Sequence, residues 1–118
     1  MDTIRLRNYE AKLLRRRRQI LATAEHLERE KEQFVGQRQV EWLDQARDEN
    51  ELRLLDRLSE TYLREMQKIE KALGRIPAET YGLCLACHHP IEKERLAIFP
   101  EAEFCLGCQD MREQFERV

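Results

Sequence analysis

Apolar residues recur at intervals of seven through the first third of the chain: Leu6, Leu13, Ile20, Leu27 and Phe34, with Tyr9 and Ala24 between them. Such a repeat is a heptad seam, the stripe one helix turns toward another. The second seam position is incomplete, because Arg16, Arg17, Glu30 and Lys31 stand where apolar residues would fit. No Pro or Gly interrupts residues 1–35, so the pattern predicts one helix over about residues 4–35. At about 1.5 Å per residue it spans roughly 45–50 Å.

A second seam follows. Leu52, Leu55, Ser59, Tyr62, Met66, Ile69, Leu73 and Ile76 alternate steps of three and four. Ser59 is its polar member, and Leu58 beside it is placed to lean in. Gly74 and Pro77 mark the end of this helix. Alone, each helix would expose its stripe to water. An antiparallel hairpin within one chain covers both stripes, with Phe34 opposite Leu52 and Leu13 opposite Leu73, and predicts a monomer. The alternative is a parallel pairing between two chains. Gly36 and the short connection to about residue 44 favour the hairpin.

The turn falls at residues 36–46, GQRQVEWLDQA. Asp44 is placed to cap the second helix by accepting from the free amides of its first turn. Trp42, the lone tryptophan, sits beside Val40 and Leu43 where a thin hairpin has little core to offer. It either folds back over the seam or awaits a partner.

Composition supports thin helices over a large core. Charged residues make up 37% of the 118 and aromatic residues 7%, and mean hydropathy is -0.74. No run of about 18 apolar residues occurs, which argues against a membrane span. The opening MDTIRLRNYE lacks the apolar region of an export signal, so a cytoplasmic location is expected. Net charge is -2 but uneven. Residues 1–20 carry seven basic against two acidic residues, a net of +5. Residues 41–60 carry seven acidic against three basic, a net of -4. The run Arg15 to Arg18 invites a nucleic-acid reading. Four consecutive helical residues wrap most of a turn, however, and cannot form one stripe. Sequence-specific DNA binding is therefore not expected.

The densest chemistry lies beyond residue 77. Cys84 and Cys87, then Cys105 and Cys108, form two C-x2-C pairs separated by seventeen residues. Two such pairs supply the four ligands of a tetrahedral Zn2+ site. Two disulfides are the alternative, disfavoured in a reducing compartment. His88 and His89 are further possible ligands, although four thiolates already complete the set. A closed thiolate shell leaves no position for water or substrate, so a structural metal is expected and an enzyme is not. Gly82 eases the entry to the first pair. Ile91, Leu96 and Phe104 are the expected core of the finger. Met111, Phe115 and Val118 recur at helical spacing and predict a short amphipathic helix covering the finger or the hairpin base. No phosphate loop or Ser-His-Asp set is present. The fold expected is mainly α, a hairpin over residues 1–77 followed by a C4 zinc finger with its closing helix over 78–118.

The string YGLC-x2-C-x3-I-x3-RL-x3-P-x4-C-x2-CQ, carried here by Tyr81, Gly82, Cys84, Cys87, Ile91, Arg95, Leu96, Pro100, Cys105, Cys108 and Gln109, resembles the DksA/TraR C4-type zinc-finger family of bacterial transcription regulators. The turn is similar to the D-x-x-D-x-A of the longer, DksA-like branch, matching at Asp44 and Ala46 with Glu41 in place of the first aspartate. The resemblance implies binding to bacterial RNA polymerase through its secondary channel. Glu41, Trp42, Asp44 and Ala46 would then act near the catalytic centre during initiation. It also implies guanosine tetraphosphate as a possible second ligand. Lys68 and Arg95 keep basic charge for it, whereas the matching positions Phe99 and Gln109 do not. His88 replaces the family's glycine after the second cysteine, which predicts a left-handed backbone there. Two readings stand beside this one: a zinc-stapled coiled-coil adaptor for another protein, and a thiol redox sensor.

Overall fold

The computed structural model describes residues 1–38 and 45–116; for residues 34–38, 45–52, 54 and 55 it describes the backbone alone. Four helices follow one another among the described residues: α1 (Thr3–Arg38), α2 (Gln45–Arg75), α3 (Lys93–Ile98) and α4 (Leu106–Glu116). Among the described residues there is no strand, only one antiparallel bridge between Leu83 and Pro90. No described helix is long and apolar enough to cross a membrane.

The ends of α1 and α2 follow local chemistry. The Asp2 carboxylate accepts the Arg5 amide at 2.8 Å, satisfying one of the free donors of the first turn of α1. At its other end α1 runs through Gly36 to Arg38, slightly past the predicted stop. The start of α2 at Gln45 follows Asp44, the expected cap, which lies outside the described residues. Gly74 stands in the last turn of α2, and the amides of Thr80 and Tyr81 both donate to the Arg75 carbonyl. Glu79, at φ 63°, makes the reversal in that turn.

The chain divides into two compact units. The first, Arg17–Met66, contains the C-terminal half of α1 and the N-terminal part of α2. Here Ile20 and Leu27 are buried, and Tyr62 and Met66 are half-buried. Lys31 bridges the two helices, with its Nζ 2.9 Å from Asp56 and 3.2 Å from Glu28. The Asp56 hydrogen bond is the main reason its pKa is raised. Lys31, near the end of α1, thus meets Asp56, near the start of α2, as an antiparallel pairing of the two helices requires. One detail differs. Leu58 stays 38% exposed and does not lean in. Ser59 itself takes the seam position, with its hydroxyl buried.

The second unit joins Met1–Arg16 to Gln67–Val118. Leu13, Ile69 and Ala72 are fully buried in it. The finger adds Tyr81, Ile91, Leu96 and Pro100 to this core. The Tyr9 ring meets the Tyr81 ring at 5.6 Å between centroids, tilted by 46°. The Tyr81 hydroxyl donates to the Pro100 carbonyl at 2.7 Å. Arg16, an apparent fault in the first seam, reaches the Glu101 carboxylate at 3.0 Å and donates to the Ile98 carbonyl at 3.1 Å.

The closing helix departs from expectation. Met111 and Phe115 are 59% and 78% exposed, and α4 has no buried residue among those described. Val118 lies outside the described residues. The spacing that makes a helix amphipathic does not by itself provide a surface for its apolar face. Phe104, half-buried, instead takes the Arg112 guanidinium over its ring, 4.3 Å from the centroid.

Candidate metal centre

Each cysteine pair is placed by its own turn. In the first, the Cys84 amide donates to the His89 carbonyl and the His88 amide to the Cys84 carbonyl, both at 2.9 Å. Closing that turn puts His88 at φ 64°, the left-handed value its position predicts. Gly82 enters the turn at φ 86°. A Cβ on Gly82 would stand 2.7 Å from the end of the Met1 side chain. The Ile91 amide donates to the Gly82 carbonyl at 2.7 Å, pinning the segment that leaves the turn to the one that enters it.

The second pair opens α4, and Cys108 lies inside that helix. The Gln109 amide donates to the Cys105 carbonyl at 2.9 Å. The Glu92 carboxylate accepts the Leu106 amide at 3.2 Å, so a side chain fourteen residues away fixes where α4 begins. Two further bonds bring the pairs together. The Leu85 amide donates to the Glu103 carbonyl, and Arg95 Nε to the Phe104 carbonyl, both at 2.9 Å.

The result is a cluster of four sulfurs, from Cys84, Cys87, Cys105 and Cys108, all within 4.8 Å of one another. All four are free thiols. Cys87 and Cys105 Sγ are 3.8 Å apart. Tetrahedral zinc with Zn–S bonds of about 2.3 Å requires sulfurs about 3.8 Å apart, whereas a disulfide requires about 2.05 Å. The donor set therefore fits Zn2+ and not two disulfides. His88 and His89 are exposed and lie outside the cluster.

The electrostatics match. Cys84 is almost fully buried. Burial pushes its thiol up, but backbone donors at Cys87, Cys105 and Ala86 outweigh this and bring its pKa down to about 6. Contacts with the Cys105 and Cys84 sulfurs push Cys108 up to about 12. Cys87 is also raised: the backbone at His89 lowers it, but burial and neighbouring sulfurs prevail. The Cys84 thiolate forms readily, whereas Cys87 and Cys108 resist taking on charge. A divalent cation removes that conflict, because it favours all four thiolates together.

The other expected site residues are distributed as follows. Glu41, Trp42 and Asp44 lie outside the described residues, and Ala46 is described only as a backbone position in α2. Lys68 is exposed on α2. Arg95, on α3, is half-buried and holds the Phe104 carbonyl. Phe99 is 48% exposed, and Gln109 donates to Glu113 at 3.2 Å within α4. The residues that sequence reasoning missed are supporting ones: Glu92 at the start of α4, and the pair of Arg16 and Glu101 beside the finger. Their partners are too distant in sequence to leave a periodic signal.

Residues 79–114 match the prokaryotic dksA/traR C4-type zinc finger. The RNA polymerase-binding transcription factor DksA of Caulobacter vibrioides is 30% identical over 122 residues, covering 100% of this chain and 82% of that protein. The factor of the same name from Escherichia coli K12 is 32% identical over 75 residues, covering 64% of this chain and 50% of that protein. The chain thus spans half the length of that relative. Among solved structures, transcription factor DksA2 from Pseudomonas aeruginosa superposes with a TM-score of 0.87 at 28% identity, covering 99% of this chain and 89% of the other. The zinc implied by four clustered thiols is the structural metal of a C4 finger. With the finger motif in place and a 30% identical relative aligned along the whole of this chain, the chain belongs to the prokaryotic DksA/TraR C4-type zinc-finger family.

Proposed function

We propose that this protein is a transcription regulator that binds RNA polymerase, and that it acts through the turn between α1 and α2. In this reading residues 1–77 form a probe that enters the secondary channel of the polymerase. Glu41, Asp44 and Ala46 carry the effect on initiation, and Trp42 serves as a contact anchor. Residues 78–118, held by zinc, form the base. The protein works in the cytoplasm beside the polymerase and performs no reaction itself. The carrying observation is the match, over the whole of this chain and 82% of the relative, to a protein named for binding RNA polymerase. Support for the tip comes from the sequence of this chain, where Glu41, Asp44 and Ala46 resemble the D-x-x-D-x-A of the DksA-like branch. The net charge of -4 over residues 41–60 suits an element that approaches a metal-bearing, electropositive centre.

In vitro transcription with purified polymerase tests this directly. Wild type is expected to alter initiation at a promoter with a short-lived open complex. Asp44→Asn is expected to bind polymerase with the same affinity and to lose the effect. A mutant that regulates as well as wild type would remove the tip from the mechanism. Absence of polymerase binding by the wild type would remove the proposal itself. Parallel reactions with guanosine tetraphosphate, in wild type and in Lys68→Ala and Arg95→Ala, test the nucleotide.

A further inference from the structure

Within the unit Arg17–Met66, three observations fall on one spot. The seam between α1 and α2 narrows to two small residues, Ala24 and Ser59, which line a cavity of about 500 Å³. The Ser59 hydroxyl is buried and meets no hydrogen-bond partner among the described residues. At the lips of the cavity, Leu21 and Leu63 are 45% and 60% exposed. A seam built only for the hairpin would fill this layer with a larger apolar residue, and it would not bury an unsatisfied hydroxyl. Leu58, one residue away, has the required bulk but points elsewhere.

We propose that this groove is a docking site for a basic amphipathic helix from another protein. A groove between two antiparallel helices is the shape a third helix fills, its side chains entering as knobs. Ala24 and Ser59 leave room for one such knob, and a polar atom at its end would satisfy the Ser59 hydroxyl. Leu21 and Leu63 would cover the apolar residues on either side. The charge of the partner follows from the rim. Among the described residues that line it, Glu28, Asp56 and Glu60 stand with one cation, Lys31, which Glu28 and Asp56 already hold. Three carboxylates against one ammonium leave a net of -2, so lysines or arginines beside the apolar ridge are favoured and acidic residues are repelled. This inference rests on the groove alone and is independent of how the α1–α2 turn acts.

The test uses the full-length, zinc-loaded, isotope-labelled chain and two synthetic helical peptides. One carries leucines along a single face with flanking lysines; the other has glutamates in place of the lysines. Backbone amide shifts with the lysine peptide are expected to centre on Ala24, Ser59 and Leu63. Affinity is expected to fall about tenfold or more for the glutamate peptide and for two variants, Ser59→Leu, which fills the hole, and Leu63→Glu, which charges a lip. Leu63 is exposed enough for that variant to fold regardless of how Ser59→Leu behaves. Shifts centred elsewhere would overturn the proposal, as would undiminished binding by Leu63→Glu or equal affinity for the two peptides. Concentration-dependent dimerisation of the chain that Leu63→Glu abolishes would assign the groove to a second copy and overturn it equally.

Discussion

The Arg16 guanidinium lies 3.0 Å from the Glu101 carboxylate and holds a residue that is only 8% exposed. Eighty-five positions separate the two, and the contact ties α1 to the finger inside one compact unit. Arg16 also donates to the Ile98 carbonyl. Removing it strands a buried carboxylate whose second oxygen already has no partner among the described residues. Arg16→Met is expected to destabilise the protein by about 2–3 kcal/mol. This is somewhat less than for a fully buried pair, because the Arg16 side chain keeps 33% of its surface in water. Glu101→Gln leaves a neutral acceptor and a guanidinium that can turn to solvent, so it should cost less. Urea unfolding of the two variants gives the order, and a larger loss for Glu101→Gln would contradict it.

Tyr81 is the second tie between finger and helices. Burial, reinforced by neighbouring Tyr9, raises its phenol above the ordinary value near 10. A raised pKa means that the folded state favours the protonated form. The stabilisation is complete below the unfolded value and is lost as pH rises through the folded one. Tyr81 is therefore expected to ionise only as the protein unfolds in alkali. Absorbance and circular dichroism followed together would show this. Tyr81→Phe removes the bond to the Pro100 carbonyl and should cost about 1 kcal/mol, with the late alkaline step abolished.

Much of this architecture was legible in the chain because it is periodic or closely spaced. The seam through Leu13, Ile20 and Leu27 follows from a heptad, and the metal cluster from two C-x2-C pairs. The left-handed backbone at His88 follows from a single departure from a family glycine. What escaped depends on tertiary partners. Arg16 appeared as a break in the seam because its acceptors are supplied by a distant turn. Ala72, fully buried, sits one step from the seam and is too small to stand out by hydropathy. The face of α4 had the right spacing but nothing among the described residues to cover it. Periodicity identifies which residues share a face, and burial depends on what else the fold brings there.

His88 and Glu79 each hold a positive φ with a side chain attached, whereas Gly82 holds one without. A left-handed residue bearing a Cβ is strained by about 1–2 kcal/mol, part of which a glycine gives back as unfolded-state entropy. His88→Gly and Glu79→Gly are each expected to stabilise by about 0.5–1 kcal/mol. Gly82→Ala should destabilise by about 1–2 kcal/mol, since its φ is unsuited to a side chain and the Met1 methyl must also move. Thermal melts of the three variants in the zinc form test the set. A lower melting temperature for His88→Gly would mean that the imidazole, and not the backbone, matters at that turn.

The exposed face of α4 gives a negative prediction. Phe115→Ser and Met111→Ser should change stability by less than about 0.5 kcal/mol, because both side chains stay mostly in water in the folded protein. A loss of about 2 kcal/mol or more for Phe115→Ser would mean that α4 packs as its periodicity first suggested.

Acid is expected to release the metal before it unfolds the helices of Arg17–Met66. Cys84 has its thiol held down to about 6, so its thiolate persists well below the range of an ordinary cysteine. A depressed pKa contributes stability above the unfolded value, and that contribution is lost as pH falls through the folded one. Zinc bound partly through this thiolate lowers the proton affinity further, so release belongs at or below pH 6 and not above it. A chromophoric chelator at low concentration is expected to detect one zinc per chain leaving in that range. The Tyr81 environment should be lost with the metal, because the bonds of Leu85, Arg95 and Ile91 that shape the finger run between the turns that carry the cysteines. The helical signal of Arg17–Met66 should largely survive, since the contacts within that unit involve no cysteine. Spontaneous release at pH 7 to 8 would mean that the four sulfurs do not form a closed shell. Loss of the whole helical signal along with the metal would mean that zinc holds the hairpin as well as the finger.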